Sequence, residues 1–208
     1  MRRRILLTAL LLASPSPAPA SVPSAGNNTT PACISLVGTY GSTPAPAGEF
    51  TVTCRDLANN PMPGAVVVID LSVCTELFIC ADQLDPLATV DCVHKTVSKL
   101  TAADGSVHFT VLGGSNGPGS AVTFMNGGRI YKNGTLIQSP TVSAYDLDGS
   151  NGLGANDLSA WLTDFGSGQP YGRIDYDCSG SVGANDLAFW LTAFGSGTMA
   201  QSCASACP

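Results

Sequence analysis

The sequence predicts a mainly β fold, a β-sandwich followed by a small α-helical module, and three observations carry that reading. Only 12% of the 208 residues are charged, while Gly and Pro number 23 and 14, against about a quarter charged in an ordinary soluble chain, a composition that favours short strands and turns over long solvent-facing helices. β-Branched runs separated by turn formers fill the region before residue 144, as expected of a sandwich. Beyond it, two apolar stretches with helical spacing each follow an Asp-rich segment.

Met1-Arg2-Arg3-Arg4 opens the chain, Ile5 to Ala13 is apolar and Ala18-Pro19-Ala20 is a small-x-small cleavage pattern, so residues 1–20 read as a secretory signal peptide. An apolar run of about nine residues falls short of the roughly 20 needed to cross a bilayer, so no membrane insertion is expected after cleavage near Ser21. Residues 21–32, a mixture of Ser, Pro, Asn and Thr, read as a flexible segment. Loss of the leader's three Arg leaves 6 basic against 15 acidic residues, net −9, which argues against nucleic acid as a partner, because phosphate binding needs clustered Lys and Arg.

The sandwich is expected over residues 33–143. Its strand candidates are Ile34 to Val37, Phe50 to Cys54, Ala65 to Ile69, Val107 to Val111 and Ala121 to Phe124. Between them Asn59-Asn60-Pro61, Pro63-Gly64, Asp104-Gly105 and Asn126-Gly127-Gly128 are turn formers. The stretch from Asp56 to Val68, with its Pro63-Gly64 turn, and the later Thr101 to Phe109, with Asp104-Gly105, together resemble the bacterial immunoglobulin-like domains of surface and secreted proteins. That resemblance implies a spacer or adhesive unit. The paired-cysteine Trp of antibody-type domains is absent, since Trp161 and Trp190 lie further on.

Eight cysteines in an exported chain favour disulfides. Cys33, Cys54, Cys74, Cys80 and Cys92 precede the Asp-rich region, whereas Cys178, Cys203 and Cys207 lie within or after it. Both groups are odd, so complete pairing requires at least one bridge between them, with Cys33 joined to one of the last three favoured. Cys74 to Cys80 and Cys54 to Cys92 are further candidates, and Cys178 could pair with Cys203 or Cys207 in a tail spanning 198–208. Zinc is disfavoured, because no Cys-x-x-Cys occurs and the two histidines, His94 and His108, sit in alternating, strand-like segments.

Residues 146–197 hold seven Asp and a single basic residue, Arg173, within an internal repeat. The segment from Asp146 to Asp157 is echoed by the one from Asp175 to Asp186. Oxygen ligands at positions 1, 3, 5 and 12 of a twelve-residue loop, with a backbone carbonyl from position 7, can converge on a calcium ion. Here those are Asp146, Asp148, Ser150, Gly152 and Asp157, then Asp175, Asp177, Ser179, Ser181 and Asp186. Position 6 needs a tight turn, which Gly180 supplies and Asn151 tolerates. Leu153 and Val182, at position 8, are expected to pack inward. An all-oxygen set selects Ca²⁺ over transition metals, so two ions are expected.

After each loop, Leu158, Trp161, Leu162 and Phe165, then Leu187, Trp190, Leu191 and Phe194, recur with helical spacing, and Gly166 and Gly195 follow as stops. Both tryptophans fit core packing better than sugar stacking. Loop then helix, twice over residues 144–197, strongly resembles the dockerin family, with its duplicated EF-hand-like calcium loops. That resemblance implies two bound calcium ions and docking onto a cohesin-like or other extracellular protein, in systems linked to polysaccharide breakdown. It also implies that positions 10 and 11 of each loop, Ala155 and Asn156, Ala184 and Asn185, help choose the partner. They lack the usual hydroxyl pair. Ser at position 5 places the expected affinity toward the weak extracellular range of about 10⁻⁴ to 10⁻³ M.

No nucleophile elbow, phosphate-binding loop or metalloprotease helix occurs, and the remaining acids are scattered, so an enzyme is not expected. The sequence thus predicts a secreted calcium-binding attachment protein. Two alternatives stay open: a structural protein in which calcium only staples the helical module to the sandwich, and a carbohydrate-binding or carbohydrate-active accessory protein.

Overall fold

A computed structural model describes residues 24–116, 127–150, 152–168, 172–197, 199 and 201–207. The leader, the Ala121 to Phe124 strand and the turn at Asn151 lie outside them. The described chain is mainly β, with strands first and two helices near the C-terminal end.

The largest sheet is antiparallel and five-stranded. Its spatial order is Thr135–Gln138 (β12), Arg129–Lys132 (β11), Val66–Asp70 (β5), Thr96–Leu100 (β8) and Thr89–Asp91 (β7). Shorter ladders make up the rest of the strand region. Cys33–Leu36 (β1) pairs in parallel with Thr141–Ala144 (β13), Glu49–Thr53 (β4) with Ser106–Thr110 (β9), and Leu77–Ile79 (β6) with Gly113–Ser115 (β10). Thr39–Tyr40 (β2) and Thr43–Pro44 (β3) form a small hairpin. Alternation sets the inward face: Val67 and Ile69 of β5, Val97, Ile130, Val52, Val107, Phe109, Ile34 and Leu36 share one buried core. Four sequence-expected strands, those now seen as β1, β4, β5 and β9, appear within a residue or two of their expected bounds. The β11–β12 hairpin turns on Asn133 (φ 46°) and Gly134 (φ 78°), a pair suited to the two positive-φ positions of a two-residue hairpin turn.

The cysteines depart from most of the expected pairings. Cys33 joins Cys178, Cys80 joins Cys203 and Cys92 joins Cys207, so all three bridges tie the early strands to the C-terminal end. Cys54 and Cys74 are unpaired and buried in the strand core. Cys74 is not joined to Cys80, whose sulfur is bonded to Cys203. Cys54 turns into the core while Cys92 sits in the turn after β7, and Cys178 is spent on Cys33 rather than on the tail. His94 also lies in that turn and not in a strand; its ring contacts Asp91 at 2.7 Å.

Ala155–Gly166 (α1) and Ala184–Gly195 (α2) are the helices. Their buried stripe is rotated by one residue from the expected one. In α1 it is Asp157, Ala160, Trp161 and Asp164, and in α2 Asp186, Trp190 and Ala193. Leu162, Phe165, Leu191 and Phe194, expected in the core, are 45–51% exposed. Burying the carboxylates of Asp157, Asp164 and Asp186 turns the helices so that these apolar side chains face outward. Gly166 and Gly195 are the last helical residues; the left-handed stops are Gly168 (φ 68°) and Gly197 (φ 66°). A second core joins the helices to the strand region through Val37, Ala45, Cys80, Leu112, Tyr145, Trp161, Ile174 and Trp190.

Candidate metal centre

Each Asp-rich loop is built around its first and last carboxylates. Asp157 sits in the first turn of α1, where a negative charge suits the helix N-terminus, and its Oδ2 accepts the Gly154 amide at 2.7 Å. Its Oδ1 accepts the amides of Leu147 at 2.6 Å and Asp148 at 3.0 Å. Asp186 repeats the pattern, with Gly183 at 2.8 Å and Tyr176 at 2.7 Å. Asp146 takes the amides of Gly149 at 2.9 Å and Gly152 at 3.0 Å, and Asp175 those of Ser179 at 3.1 Å and Gly180 at 2.9 Å. Gly180 adopts φ 78°, the left-handed turn that position requires.

These bonds bring Asp146, Asp148 and Asp157 together, and likewise Asp175, Asp177 and Asp186, with one carboxylate oxygen from each residue within 4.8 Å of the others in its group. In both triads the first and last members are buried and the middle one is half-buried. Clustered buried carboxylates repel, which drives either protonation or cation uptake. Burial pushes Asp157 up to about 6, against the opposing amides of Leu147, Gly154 and Asp148. Burial also raises Asp146 and Asp175. At Asp148 burial is outweighed by hydrogen bonds from Ser150 and Asn156, which carry the carboxyl below its usual value; at Asp177 the Ser179 hydroxyl and amide do the same.

The donor set fits a hard cation. An ionised carboxylate has about four acceptor positions, and Asp146 and Asp157 each use three on protein donors, so each keeps acceptor capacity. All six acids offer oxygen, which suits calcium or magnesium better than thiophilic metals.

The other expected ligands are less gathered. Ser150 is exposed, its amide bonded to Asp148. Ser179 directs its hydroxyl to the Ser181 carbonyl at 2.9 Å, the very oxygen expected to face a cation. Gly152 is buried, with φ 152°. Leu153 and Val182 pack against the second core as expected of position 8. Ala155, Asn156, Ala184 and Asn185 lie at the helix starts, and Asn156 and Asn185 border matching surface depressions beside Asp148 and Asp177.

Two residues at the centre were not among the expected site residues. Arg173 is 2% exposed, gripping Asp164 through Nε at 2.6 Å and Nη2 at 2.9 Å and reaching the Ser115 hydroxyl at 3.1 Å; its isolation among seven Asp was the available signal. Ser202 is 1% exposed and donates its hydroxyl to Asp146 Oδ2 at 2.7 Å, a contact that nothing in the sequence announces. The repeats also differ at their tryptophans: Trp190 Nε1 donates to the Tyr145 carbonyl at 3.3 Å, whereas buried Trp161 Nε1 has no partner among the described residues.

No helix among the described residues is long and apolar enough to cross a membrane. Comparison with protein-family models, with curated proteins and with solved structures returns no match.

Proposed function

We propose that this chain is a secreted, non-catalytic protein that binds two calcium ions and uses its dockerin-like helical pair for attachment to another extracellular protein, with an immunoglobulin-like sandwich as its body. The observation that carries the reading is the duplication: two carboxylate triads at equivalent positions of the repeat, each closing a loop and opening a helix with the same amide pattern at its last carboxylate. Turn-forming Asp residues would not need to bury two carboxylates in each copy. Calcium, when bound, supplies positive charge that neutralises each triad. The protein's own part is to hold the carboxylates convergent through loop amides and the first turn of each helix.

The attachment part rests on the outward faces of α1 and α2. Leu162, Phe165, Phe189, Leu191 and Phe194 are each about half exposed, a density of large apolar side chains that marks interaction surfaces. Three disulfides are compatible with an oxidising, extracellular setting.

A second reading is favoured by the same bridges. Since every one ties the early strands to the region from Cys178 onward, calcium would act as a staple of a structural surface protein, with no separate partner. Calorimetric calcium titration of the mature protein tests the shared premise: two sites with a gain of helical circular dichroism support it, and no binding sinks both readings. Capture of cohesin-type domains by the calcium-loaded mature chain, lost on chelation, separates attachment from stapling.

A further inference from the structure

The two loops are near copies in sequence, yet the molecule supports them differently. At the second loop, position 4 is Cys178, bonded covalently to Cys33 at the start of β1. The first loop has Gly149 at that position and is held instead by the C-terminal segment. The Met199 amide donates to the Thr39 carbonyl at 2.9 Å, the Thr39 amide to the Gln201 carbonyl at 2.7 Å, and the Leu153 amide, in the first loop, to the Met199 carbonyl at 2.9 Å. This strap runs so close to Gly38 that a Cβ there would meet the Gln201 carbonyl at 2.6 Å. It is then fixed by Cys80–Cys203 and, alongside β6, by the Ala81 amide on the Ser205 carbonyl at 2.8 Å and the Cys207 amide on the Ile79 carbonyl at 2.8 Å.

Between the backbone contacts and the Cys203 bridge sits Ser202, with its hydroxyl on Asp146 Oδ2. Asp175, the equivalent carboxylate of the second copy, takes hydrogen bonds from the amides of its own loop, Ser179 and Gly180. A fixed outer donor orients a ligating carboxylate and reduces the cost of organising it around a cation; removing such a partner typically lowers metal affinity about 10- to 100-fold.

We propose that Ser202 is a positioning residue for the first cation site, delivered by the disulfide-anchored C-terminal strap, so that the two sites are unequal and the first depends on seating of the tail. This rests on the calcium reading above. The strap couples a segment distant from Asp146 in sequence to the first loop. Unequal support also means stepwise loading, with the second loop indifferent to the Ser202 side chain.

The test is calcium titration of the disulfide-intact mature protein as wild type, Ser202→Ala and Ser202→Thr, each repeated on an Asp175→Asn background so that the first site is read alone. Terbium luminescence lifetime serves as a second readout, and thermal unfolding is followed in chelator. We expect Ser202→Ala to weaken one of two sites by about tenfold or more, to leave the lifetime at the other unchanged, and to be rescued by Ser202→Thr, with the chelated melting curve close to wild type. Two sites of unchanged affinity in Ser202→Ala, equal weakening of both, or a loss that merely follows a collapse of the chelated melting curve would each overturn the proposal. Absence of calcium binding by the wild type would instead overturn the reading on which it rests.

Discussion

Burying Asp157 beside Asp146 sets two demands against each other, and pH decides between them. With its carboxyl at about 6 when folded, against an ordinary 3.8, Asp157 binds a proton more readily in the native chain than in the unfolded one. Its contribution to cation-free stability is therefore greatest at low pH and is lost as pH rises through the folded value; between pH 7 and pH 5 the gain on acidification is of order 1 kcal/mol. A bound cation reverses the preference, because proton and metal compete for the same oxygens. Urea unfolding at pH 7 and pH 5 should show the midpoint rising on acidification in chelator and falling in limiting calcium; a midpoint unmoved in chelator would remove Asp157 as the source. The neighbouring Arg173–Asp164 pair makes a separate prediction. Asp164→Ala removes the carboxylate that the buried Arg173 grips through Nε and Nη2 and should cost about 3–5 kcal/mol by denaturant titration, with or without calcium. Neither effect follows from sequence alone: the Asp triads were legible because their spacing is local, but Ser202 and Arg173 matter through contacts that only the folded chain makes.

At the scale of elements, hydrophobic periodicity located both helices and misjudged which way they face. The pattern Leu158, Trp161, Leu162, Phe165 weighs apolar residues alone, whereas the observed stripe centres on Asp157, Trp161 and Asp164, two of them acids buried because each has donors waiting. Strands with long β-branched runs, such as β5, were legible for the same reason of local pattern. Shorter ones were not: β6, β7 and β10 have only three residues each, too few for alternation to register. The β11–β12 hairpin did carry a local signal in Asn133-Gly134, a stronger hairpin marker than Pro63-Gly64. The rotated stripe yields a test of the attachment face. Replacing Phe165 and Phe194 together with Ser removes outward apolar area and also their stacking on the buried Trp161 and Trp190, so calcium affinity should hold while stability falls by about 1–3 kcal/mol. Partner capture should fall at least tenfold; unchanged capture would move the docking face elsewhere.

Across the whole molecule, the division into sandwich, helical module and tail describes the sequence better than it describes the energetics. The second core mixes Val37, Ala45 and Leu112 from the strand region with Trp161, Trp190 and Ala193 from the helices. Tyr176 donates its hydroxyl to the Ala144 carbonyl at 2.9 Å, and the three bridges close sequence separations of 145, 123 and 115 residues. Odd counts of cysteine on either side foretold one crossing bridge; that Cys80–Cys203 and Cys92–Cys207 cross as well goes with the tail running back along β6, which no local pattern encodes. Loops that long restrict the unfolded chain strongly, and each bridge is worth about 2–5 kcal/mol in the entropic account. Shared packing and shared cross-links have two consequences. In calcium, the mature protein should melt in one calorimetric transition rather than two, since the helices cannot leave without uncovering Val37 and Leu112. A segment of residues 144–197 alone, deprived of those side chains and of the Cys33 bridge, should gain little helix even in saturating calcium. Circular dichroism of that segment decides the matter: a full native-like helical signal with two tight sites would show that the loops and helices are self-sufficient, and that the bridges merely tether a module able to fold by itself.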